Sequence, residues 1–274
     1  MVALPKLNPQ GRPWAMLTAY DALMAAQAEA GGADLLLVGD SVGKAILGYE
    51  DESEVSLQDM VHHSKAVMRG VRAIPVVADL PYATYDDEEM ALNSAQALFE
   101  TGVDFIKFEG YKPGIARHLV RHDIPVFGHL GYTPQTAARS GSKVVGNTFA
   151  SATQLIGQAM AMQEAGLSAL VLEMVPREVS FTITSSLKIP VIGIGSGPDT
   201  DGQVLVITDM WGESDVEFKF LKKFGEIGRL RREAAGRYVD EVHNKTYPTD
   251  ANSFHILKNE KSHWLQQHGR EGQD

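Results

Sequence analysis

Six ionisable side chains stand at or just beyond the ends of short apolar runs in this sequence. They are Asp40, Asp79, Lys107, Glu109, His129 and Glu173. Several carboxylates, without cysteine and without paired histidines, suit a hard cation such as Mg²⁺ rather than zinc. A magnesium ion that binds a 2-oxo acid polarises its ketone and stabilises an enolate, while a nearby carboxylate removes the adjacent proton. The residue types therefore predict chemistry at a carbon–carbon bond beside a carbonyl.

Each of these residues also has a structural interpretation. The two aspartates could cap a helix or form a turn, the histidine could bond to backbone, and Lys107 with Glu109 could be an ordinary ion pair. Glu173 fits such an explanation least well, because no helix begins directly after it and an unpaired acid in a buried strand is costly. The common position of all six at the ends of apolar runs favours a site.

Two phrases alternate along the chain, three times each. The first is the end of a helical pattern, a glycine, and an apolar run that closes on an acid, over residues 29–40, 100–109 and 164–173. The second is Ile-Pro-Val with a short apolar run, over residues 74–79, 124–129 and 189–195. A glycine just past a helix suits a left-handed C-cap, and continuous apolar runs are typical of parallel strands buried on both faces. The alternation predicts six βα units.

Two further apolar runs, 15–20 and 202–208, bring the predicted strands to eight. Helical patterns lie between strands, for instance over 86–100 and over 151–166, where a capping box would open on Ser151. This order predicts an α/β fold, a (β/α)₈ TIM barrel, with a doubly wound open sheet as the alternative. The barrel is favoured because no GxGxxG motif follows the first strand. The carboxyl ends of barrel strands face one rim, so the six ionisable residues should converge there.

The length of 274 residues allows one large domain or two modest ones. We predict a single barrel domain over residues 1–255 that includes the C-terminal helices, with one or two closing helices over 217–242. Residues 256–274 are polar, with only scattered apolar side chains, and are predicted to form a C-terminal tail.

Two conspicuous motifs have competing interpretations. The glycine-rich segment 193–202 could cradle a phosphate at the end of the seventh strand or form a tight turn without a ligand. The turn is favoured. The pair His62–His63 lies on a predicted helix and is interpreted as surface or packing residues rather than as metal ligands.

Composition excludes several function classes. The chain has 25 Lys and Arg against 35 Asp and Glu, a formal net charge of −10, which argues against a general nucleic-acid surface. The absence of cysteine excludes disulfides, zinc–thiolate sites and thiol nucleophiles. No apolar run approaches the roughly 18 residues of a membrane span, and the first residues do not have the pattern of a signal peptide. We therefore expect a cytoplasmic protein without membrane or nucleic-acid partners.

Eight phrases of the sequence match one family in unbroken order, from about residue 15 to about residue 255. They are TAYDA (18–22), LLLVGDSVG (35–43), VVADLP (76–81), IKFEG (106–110), FGHLGYTPQ (127–135), LVLEMVP (170–176), PVIGIGSG (190–197) and TDGQVLV (200–206). This set resembles ketopantoate hydroxymethyltransferase (3-methyl-2-oxobutanoate hydroxymethyltransferase). The resemblance implies a barrel of the phosphoenolpyruvate/pyruvate-binding superfamily, assembled as a homodecamer. It also implies Mg²⁺-dependent transfer of a hydroxymethyl unit from 5,10-methylenetetrahydrofolate to 3-methyl-2-oxobutanoate, giving ketopantoate in the first step of pantothenate biosynthesis.

The same resemblance implies the metal site. Asp40 and Asp79 correspond to the two Mg²⁺ ligands of the family, and both also correspond to substrate-binding residues. Glu109 corresponds to the residue that supports the metal through water.

The remaining roles concern the organic substrate. Ser41 corresponds to the residue that binds the substrate carboxylate, and Lys107 and His129 correspond to residues that contact its oxygens. Glu173 corresponds to the catalytic base that removes the proton from C3.

Two alternative functions remain open from the sequence. The first is a lyase or aldolase of the same barrel superfamily that acts on a 2-oxo or 2-hydroxy acid; such enzymes commonly use a loop cysteine, which this chain lacks. The second is a non-catalytic homologue with a structural role. It is motivated by two loops, 48–59 and 139–148, that depart from the family pattern.

Overall fold

Eight parallel strands form a closed barrel in the computed structural model, which describes residues 4–137 and 144–269. The strands pair in chain order, and the last pairs with the first. They are β1 (Trp14–Thr18), β2 (Leu35–Val38), β3 (Val76–Asp79), β4 (Phe105–Glu109), β5 (Val126–Gly131), β6 (Ala169–Glu173), β7 (Val191–Ile194) and β8 (Gly202–Leu205). The predicted barrel is confirmed, and the open sheet is excluded.

Helices connect most of the strands and continue after the last one. They are α1 (Ala22–Ala30), α2 (Leu57–Gly70), α3 (Glu88–Phe99), α4 (Pro113–Arg121), α5 (Pro134–Ala137), α6 (Phe149–Glu164), α7 (Arg177–Ser186), α8 (Ile207–Met210), α9 (Ile227–His243) and α10 (Lys258–His268). Strands β7 and β8 are joined by the irregular segment 195–201. Among the residues described, no helix combines the length and the apolar character needed to cross a membrane.

The three glycines of the first repeated phrase share one backbone conformation. Gly32, Gly102 and Gly166 follow α1, α3 and α6 with φ of +91°, +98° and +103°. Glycine adopts this left-handed region without the steric cost that a Cβ imposes, so the chain reverses there and enters the next strand. The predicted helix ends are confirmed.

The core has two layers, separated by the sheet. Inside the barrel, buried side chains from the lower halves of the strands meet, among them Met16, Leu37, Phe105, Phe127 and Ile192. Outside it, the opposite faces of the strands pack against the helices. Strand β2, with the sequence Leu-Leu-Leu-Val, is buried along its whole length because it contributes to both layers.

Two helix starts differ from the predictions. Helix α6 begins at Phe149, because Thr148 is extended and its hydroxyl accepts from the Ser151 backbone N–H; Ser151 is thus the third helical residue and not the cap. Helix α9 begins only at Ile227, so the prediction of a closing helix from residue 217 is wrong for its first ten positions. The apolar residues before Ile227 lie in an irregular segment.

The chain divides into two compact units, Met1–Gly225 and Glu226–Asp274. The first contains the barrel, and the second contains α9 and α10. A single domain over 1–255 followed by a tail over 256–274 stays a prediction. Part of one predicted segment, residues 139–143 of the loop 139–148, lies outside the described residues, as do residues 270–274 of the tail.

Candidate active site

The six ionisable residues converge at the carboxyl-terminal rim of the barrel. Asp79 and Glu173 are the last residues of β3 and β6, Lys107 and Glu109 belong to β4, and His129 belongs to β5. Asp40 follows β2, and Ser41 comes directly after it. All six, together with Ser41, line one cavity of about 310 Å³. The structure therefore brings together every residue that the sequence predicts for the site.

The strand register sets the order of these side chains around the rim. Asp79 pairs with Lys107 across β3 and β4, and Glu109 pairs with His129 across β4 and β5. Because neighbouring parallel strands hold paired residues side by side, an acid and a base become neighbours on each pair of strands. The sequences of β3, β4 and β5 thus produce a continuous row of charged side chains, Asp79, Lys107, Glu109 and His129, which we call the charged row.

The contacts in this row join acids to bases, except for one contact between the two bases. The Lys107 ammonium Nζ lies 2.8 Å from Asp79 Oδ1 and 3.5 Å from His129 Nδ1. His129 bridges two acids, with Nδ1 3.4 Å from Glu109 Oε1 and Nε2 3.3 Å from Glu173 Oε2. Charges buried in this way require such partners, because an isolated buried ion is strongly unfavourable.

The row shifts the pKa of the His129 imidazole. Burial and the Lys107 ammonium lower this pKa, but the contacts with Glu109 and Glu173 outweigh them and raise it to about 9. Burial also lowers the pKa of Lys107, and the Asp79, Glu109 and Asp40 carboxylates more than compensate, so that it rises. Both side chains are therefore cationic at neutral pH and can donate hydrogen bonds to substrate oxygens.

Asp40 and Asp79 form an acidic pair at one side of the cavity. The Asp40 backbone N–H donates to Asp79 Oδ2 over 3.3 Å. Burial, followed by the Asp79 and Glu109 charges, holds the pKa of Asp40 well above its ordinary value. Burial also raises the pKa of Asp79, although Lys107 counteracts it. A cation placed between the two carboxylates would remove this repulsion.

The donor set suits a hard cation. Asp79 Oδ1 is buried and, despite the ion pair with Lys107, accepts no well-directed hydrogen bond. Within residues 4–137 and 144–269, no three His, Asp or Glu side chains form a ready-made metal cluster. Mg²⁺ typically takes one or two protein carboxylates and completes its shell with water and substrate oxygens, so two aspartates are sufficient.

Gln135 is a site residue that sequence reasoning missed. It lies on α5, and its Nε2 donates to Asp40 Oδ2 over 2.6 Å and to Leu80 O over 3.0 Å. Its backbone N–H donates to Glu109 Oε2 over 3.1 Å, and its Oε1 accepts from the Tyr85 hydroxyl. Its position after Pro134, close to the end of β5, could have marked Gln135 as a rim residue. The sequence does not show which carboxylates its amide contacts.

A second missed group surrounds Ser41. Tyr20 is fully buried, and its hydroxyl lies 2.8 Å from Ser41 Oγ and accepts from Thr18 Oγ1 over 2.9 Å. Thr18 Oγ1 in turn accepts from the Ile207 backbone N–H over 2.9 Å. This chain of hydroxyls fixes the Ser41 side chain at the cavity wall.

The acidic loop 48–59 has a structural explanation. Asp51 and Glu54 form the capping box of a short 3₁₀ helix, Glu52–Glu54, and Ser56 and Asp59 form that of α2. Glu52 lines the cavity and lies 3.4 Å from Lys44 Nζ. Most of the unusual acids therefore serve helix starts.

The contacts favour a structural role for the two motifs with competing interpretations, the pair His62–His63 and the glycine-rich segment 193–202. His63 Nδ1 lies 2.7 Å from Tyr20 O, which is a packing role. In the glycine-rich segment, Ser196 Oγ donates to Leu172 O over 2.7 Å and Thr200 Oγ1 donates to Gly202 O over 2.8 Å. These hydroxyls stabilise the turn between β7 and β8.

Comparison with known proteins points to one family. The family model of ketopantoate hydroxymethyltransferase matches residues 1–250. The chain is 45% identical over 253 residues to 3-methyl-2-oxobutanoate hydroxymethyltransferase of Acetivibrio thermocellus, covering 90% of this chain and 89% of the relative. It is 43% identical over 252 residues to the enzyme of that name from Thermus thermophilus, covering 90% and 97%.

Solved structures show the same fold at low sequence identity. A phosphonopyruvate hydrolase in complex with oxalate and Mg²⁺ aligns with a TM-score of 0.60 at 13% identity, covering 94% of this chain and 92% of that one. A 2,3-dimethylmalate lyase of the PEP mutase/isocitrate lyase superfamily aligns with a TM-score of 0.57 at 15% identity, covering 93% and 94%. The likeness to these structures confirms the predicted barrel fold.

Proposed function

Because this chain belongs to the ketopantoate hydroxymethyltransferase family and is an enzyme of that class, we propose a specific reaction for it. The enzyme transfers a hydroxymethyl unit from 5,10-methylenetetrahydrofolate to C3 of 3-methyl-2-oxobutanoate, which gives ketopantoate. The observation that carries this proposal is the position of the Glu173 carboxylate, 3.3 Å from His129 Nε2 at the edge of the charged row. It places a proton acceptor beside groups that bind oxygen anions.

The residues at the rim fit a magnesium ion. Asp40 and Asp79 would hold it directly, and Glu109 would support it through water. When bound, Mg²⁺ would polarise the ketone of the 2-oxo acid and so acidify the proton on C3.

Three side chains would bind and orient the 2-oxo acid. The Ser41 hydroxyl, fixed by Tyr20, would donate to the substrate carboxylate. The Lys107 ammonium and the protonated His129 would stabilise negative charge that develops on the ketone oxygen, because both are buried and preorganised.

Glu173 is the carboxylate best placed to accept the C3 proton. Asp79 and Glu109 are almost fully buried and engaged with Lys107, His129 or Gln135, whereas the Glu173 side chain keeps 15% of its surface exposed toward the cavity. A base must reach the proton that it removes, and the carboxylate that is more exposed to the cavity does so more easily. The hydroxyl oxygen of the product would come from water, which adds to the methylene carbon of the donor as that carbon leaves the folate nitrogens. Glu173 would then pass the C3 proton to the oxygen atom that becomes the new hydroxyl group.

One pair of assays tests this proposal. Mass spectrometry should find ketopantoate when the enzyme receives 3-methyl-2-oxobutanoate, methylenetetrahydrofolate and Mg²⁺. Exchange of the C3 proton with deuterated water should occur without folate and should stop when EDTA removes the metal. Exchange without any ketopantoate formation would instead support a lyase or aldolase of the same superfamily, and neither activity would support the non-catalytic alternative.

The remaining expectations stay predictions. They are the homodecameric assembly implied by the family resemblance and the location in the cytoplasm.

A further inference from the structure

A series of hydrogen bonds runs from the barrel wall to the Ser41 side chain at the cavity. The backbone N–H of Ile207, the first residue of α8, donates to Thr18 Oγ1 over 2.9 Å. Thr18 Oγ1 donates to the Tyr20 hydroxyl over 2.9 Å, and that hydroxyl lies 2.8 Å from Ser41 Oγ. Thr18 and Tyr20 are buried, whereas Ser41 is partly exposed and lines the cavity. We call these four groups the hydroxyl series.

The direction of these hydrogen bonds follows from the number of hydrogens. A hydroxyl has one hydrogen to donate, and a backbone N–H can only donate. Thr18 accepts from Ile207 and gives its own hydrogen to Tyr20, so the hydrogen of Tyr20 is left for Ser41 Oγ. In the reverse direction the buried Thr18 hydrogen would have no acceptor among the described residues, which is costly. Burial raises the pKa of Tyr20, so its hydroxyl keeps the hydrogen at neutral pH.

Ser41 is the last member of the hydroxyl series. Its Oγ accepts from Tyr20, so its own hydrogen is not used within the series. In the part of the chain that the structure describes, the Ser41 hydroxyl makes no other hydrogen bond. Its hydrogen is therefore available to a ligand in the cavity that can accept it.

Gly39 provides the space for this arrangement. A Cβ at position 39 would lie 2.8 Å from Ser41 Oγ, closer than such contacts are in real proteins, but at an ordinary 3.6 Å from Asp79 Oδ2. Gly39 does not have the positive φ that would itself require glycine. The lack of a side chain at Gly39 thus allows the Ser41 hydroxyl to stay within reach of Tyr20.

The backbone around Tyr20 is fixed on both sides. The Tyr20 carbonyl oxygen lies 2.7 Å from His63 Nδ1 on α2, and the next residue, Asp21, caps α1. Thr18 belongs to β1 and pairs with Leu37 on β2. The two hydroxyls that precede Ser41 are therefore held in place by the barrel and its first helices.

We infer that Thr18, Tyr20 and Gly39 are positioning residues that make Ser41 a preorganised hydrogen-bond donor for a carboxylate, a group that only accepts. The identity of this group as the carboxylate of the 2-oxo acid rests on the proposed function, whereas the direction of the hydroxyl series rests on the geometry. A donor that already has its bound orientation loses less entropy when the ligand binds, and hydrogen bonds in series strengthen one another. The series increases the affinity for the 2-oxo acid and takes no part in removing the C3 proton.

The main test is a double-mutant cycle with Tyr20→Phe, Ser41→Ala and the combined variant. Calorimetry measures the Kd for 3-methyl-2-oxobutanoate in the presence of Mg²⁺. NMR measures deuterium exchange at C3 without folate, which gives the KM and the rate at saturating 2-oxo acid. Thermal unfolding shows whether each variant is folded.

We expect Ser41→Ala to raise the Kd by roughly 10–100-fold, as the loss of a hydrogen bond to a charged group predicts. Tyr20→Phe should raise it by about 2–10-fold, which corresponds to the cost of ordering one side chain. The saturated exchange rate should stay close to that of the wild type, because a contact that serves only to bind the substrate changes KM alone. In the Ser41→Ala background, Tyr20→Phe should cause no further loss, since the hydroxyl that it orients is gone.

Further variants separate positioning from packing. Thr18→Val keeps the shape of the side chain but removes the donor to Tyr20, so it should weaken binding, whereas Thr18→Ser should restore it. Gly39→Ala removes no polar group but displaces Ser41 Oγ, so it should also weaken binding. The matched control is Thr208→Val, which removes a buried hydroxyl that has no hydrogen-bond partner within the described residues. It should keep the wild-type Kd.

Two results would overturn the inference and leave the proposed function intact. One is a wild-type Kd in Tyr20→Phe and Gly39→Ala while Ser41→Ala binds weakly, which would show that Ser41 needs no positioning. The other is an additive loss in the combined variant, which would make Tyr20 a packing residue. Wild-type affinity in Ser41→Ala would remove the inference together with the contact between Ser41 and the carboxylate. Neither exchange nor ketopantoate from the wild type would remove the proposed function as well.

Discussion

Inside the barrel, the side chains of each strand form a lower layer and, nearer the carboxyl-terminal rim, an upper layer. Both layers come from the same strands and point into the barrel, but they differ completely in chemistry. On β4, Phe105 points into the lower layer, and Lys107 and Glu109 follow above it. On β5, Phe127 lies below and His129 above. The lower side chains are apolar and form one closed cluster, whereas the upper ones form the charged row. Residues two positions apart on a strand point to the same side, so both sets face the interior. Only their position along the barrel axis separates the side chains that stabilise the fold from those that carry the chemistry.

The position of the charged upper layer therefore depends on the stability of the apolar lower layer. Ion pairs among buried groups contribute little net stability after the cost of desolvation. The apolar layer beneath must supply the free energy that holds those charges in position. Substitutions in the upper layer that keep the side-chain shape and leave no buried charge unpaired should therefore change activity more than stability, and substitutions in the lower layer should do the reverse.

The largest effect on activity is expected for Glu173→Gln. The amide keeps the shape of the side chain but cannot accept the proton, so deuterium exchange at C3 should fall by roughly 10²–10⁴-fold, the usual contribution of general-base catalysis. NMR measures the exchange, and thermal unfolding should show a nearly unchanged midpoint. If Glu109→Gln abolishes exchange while Glu173→Gln retains it, the base is the acid on β4 instead.

The acidic pair should show the next largest effect. Asp40→Asn and Asp79→Asn each remove one anionic ligand, so the Mg²⁺ concentration needed for half-maximal exchange should rise by more than the roughly 10–100-fold typical of losing a residue that only supports a ligand. A metal titration measures it. Wild-type metal dependence in either variant would reduce that aspartate to a structural cap or turn residue.

The lower layer is tested by Phe127→Ala. This ring is fully buried, with its centre 5.0 Å from that of Phe105, and its removal should cost about 3–5 kcal/mol of the free energy of unfolding. Urea unfolding measures the loss, and Phe149→Ala, at a position 90% exposed, is the control that should cost little. A folded Phe127→Ala enzyme with normal stability but no exchange would contradict the separation of the two layers.

Gln135→Ala should have the smallest effect and should refine the comparison. The variant leaves Asp40 Oδ2 without its amide donor, so the Mg²⁺ requirement should rise about 10–100-fold while the rate at saturating metal recovers. Thr136→Ala, on the same short helix but exposed, serves as the control in the metal titration. A fall in the saturated rate without a change in metal requirement would assign Gln135 a role in catalysis instead.

Much of this protein follows from its sequence alone. The alternating phrases determine six of the eight strands, and the glycines after α1, α3 and α6 determine where helices end, because both signals are local and recur along the chain. Parallel closure then requires that the residues at the strand ends meet at one rim. The position of Asp79, His129 and Glu173 in one cavity therefore follows from the pattern of strands and their last residues.

The tertiary structure decided which groups touch. The amide of Gln135 reaches Asp40, 95 positions away in the chain, and Tyr20 bonds to Ser41, 21 positions away and beyond α1 and β2. No periodic pattern encodes such contacts, because they depend on the path of loops and on rotamers that only the packed molecule fixes.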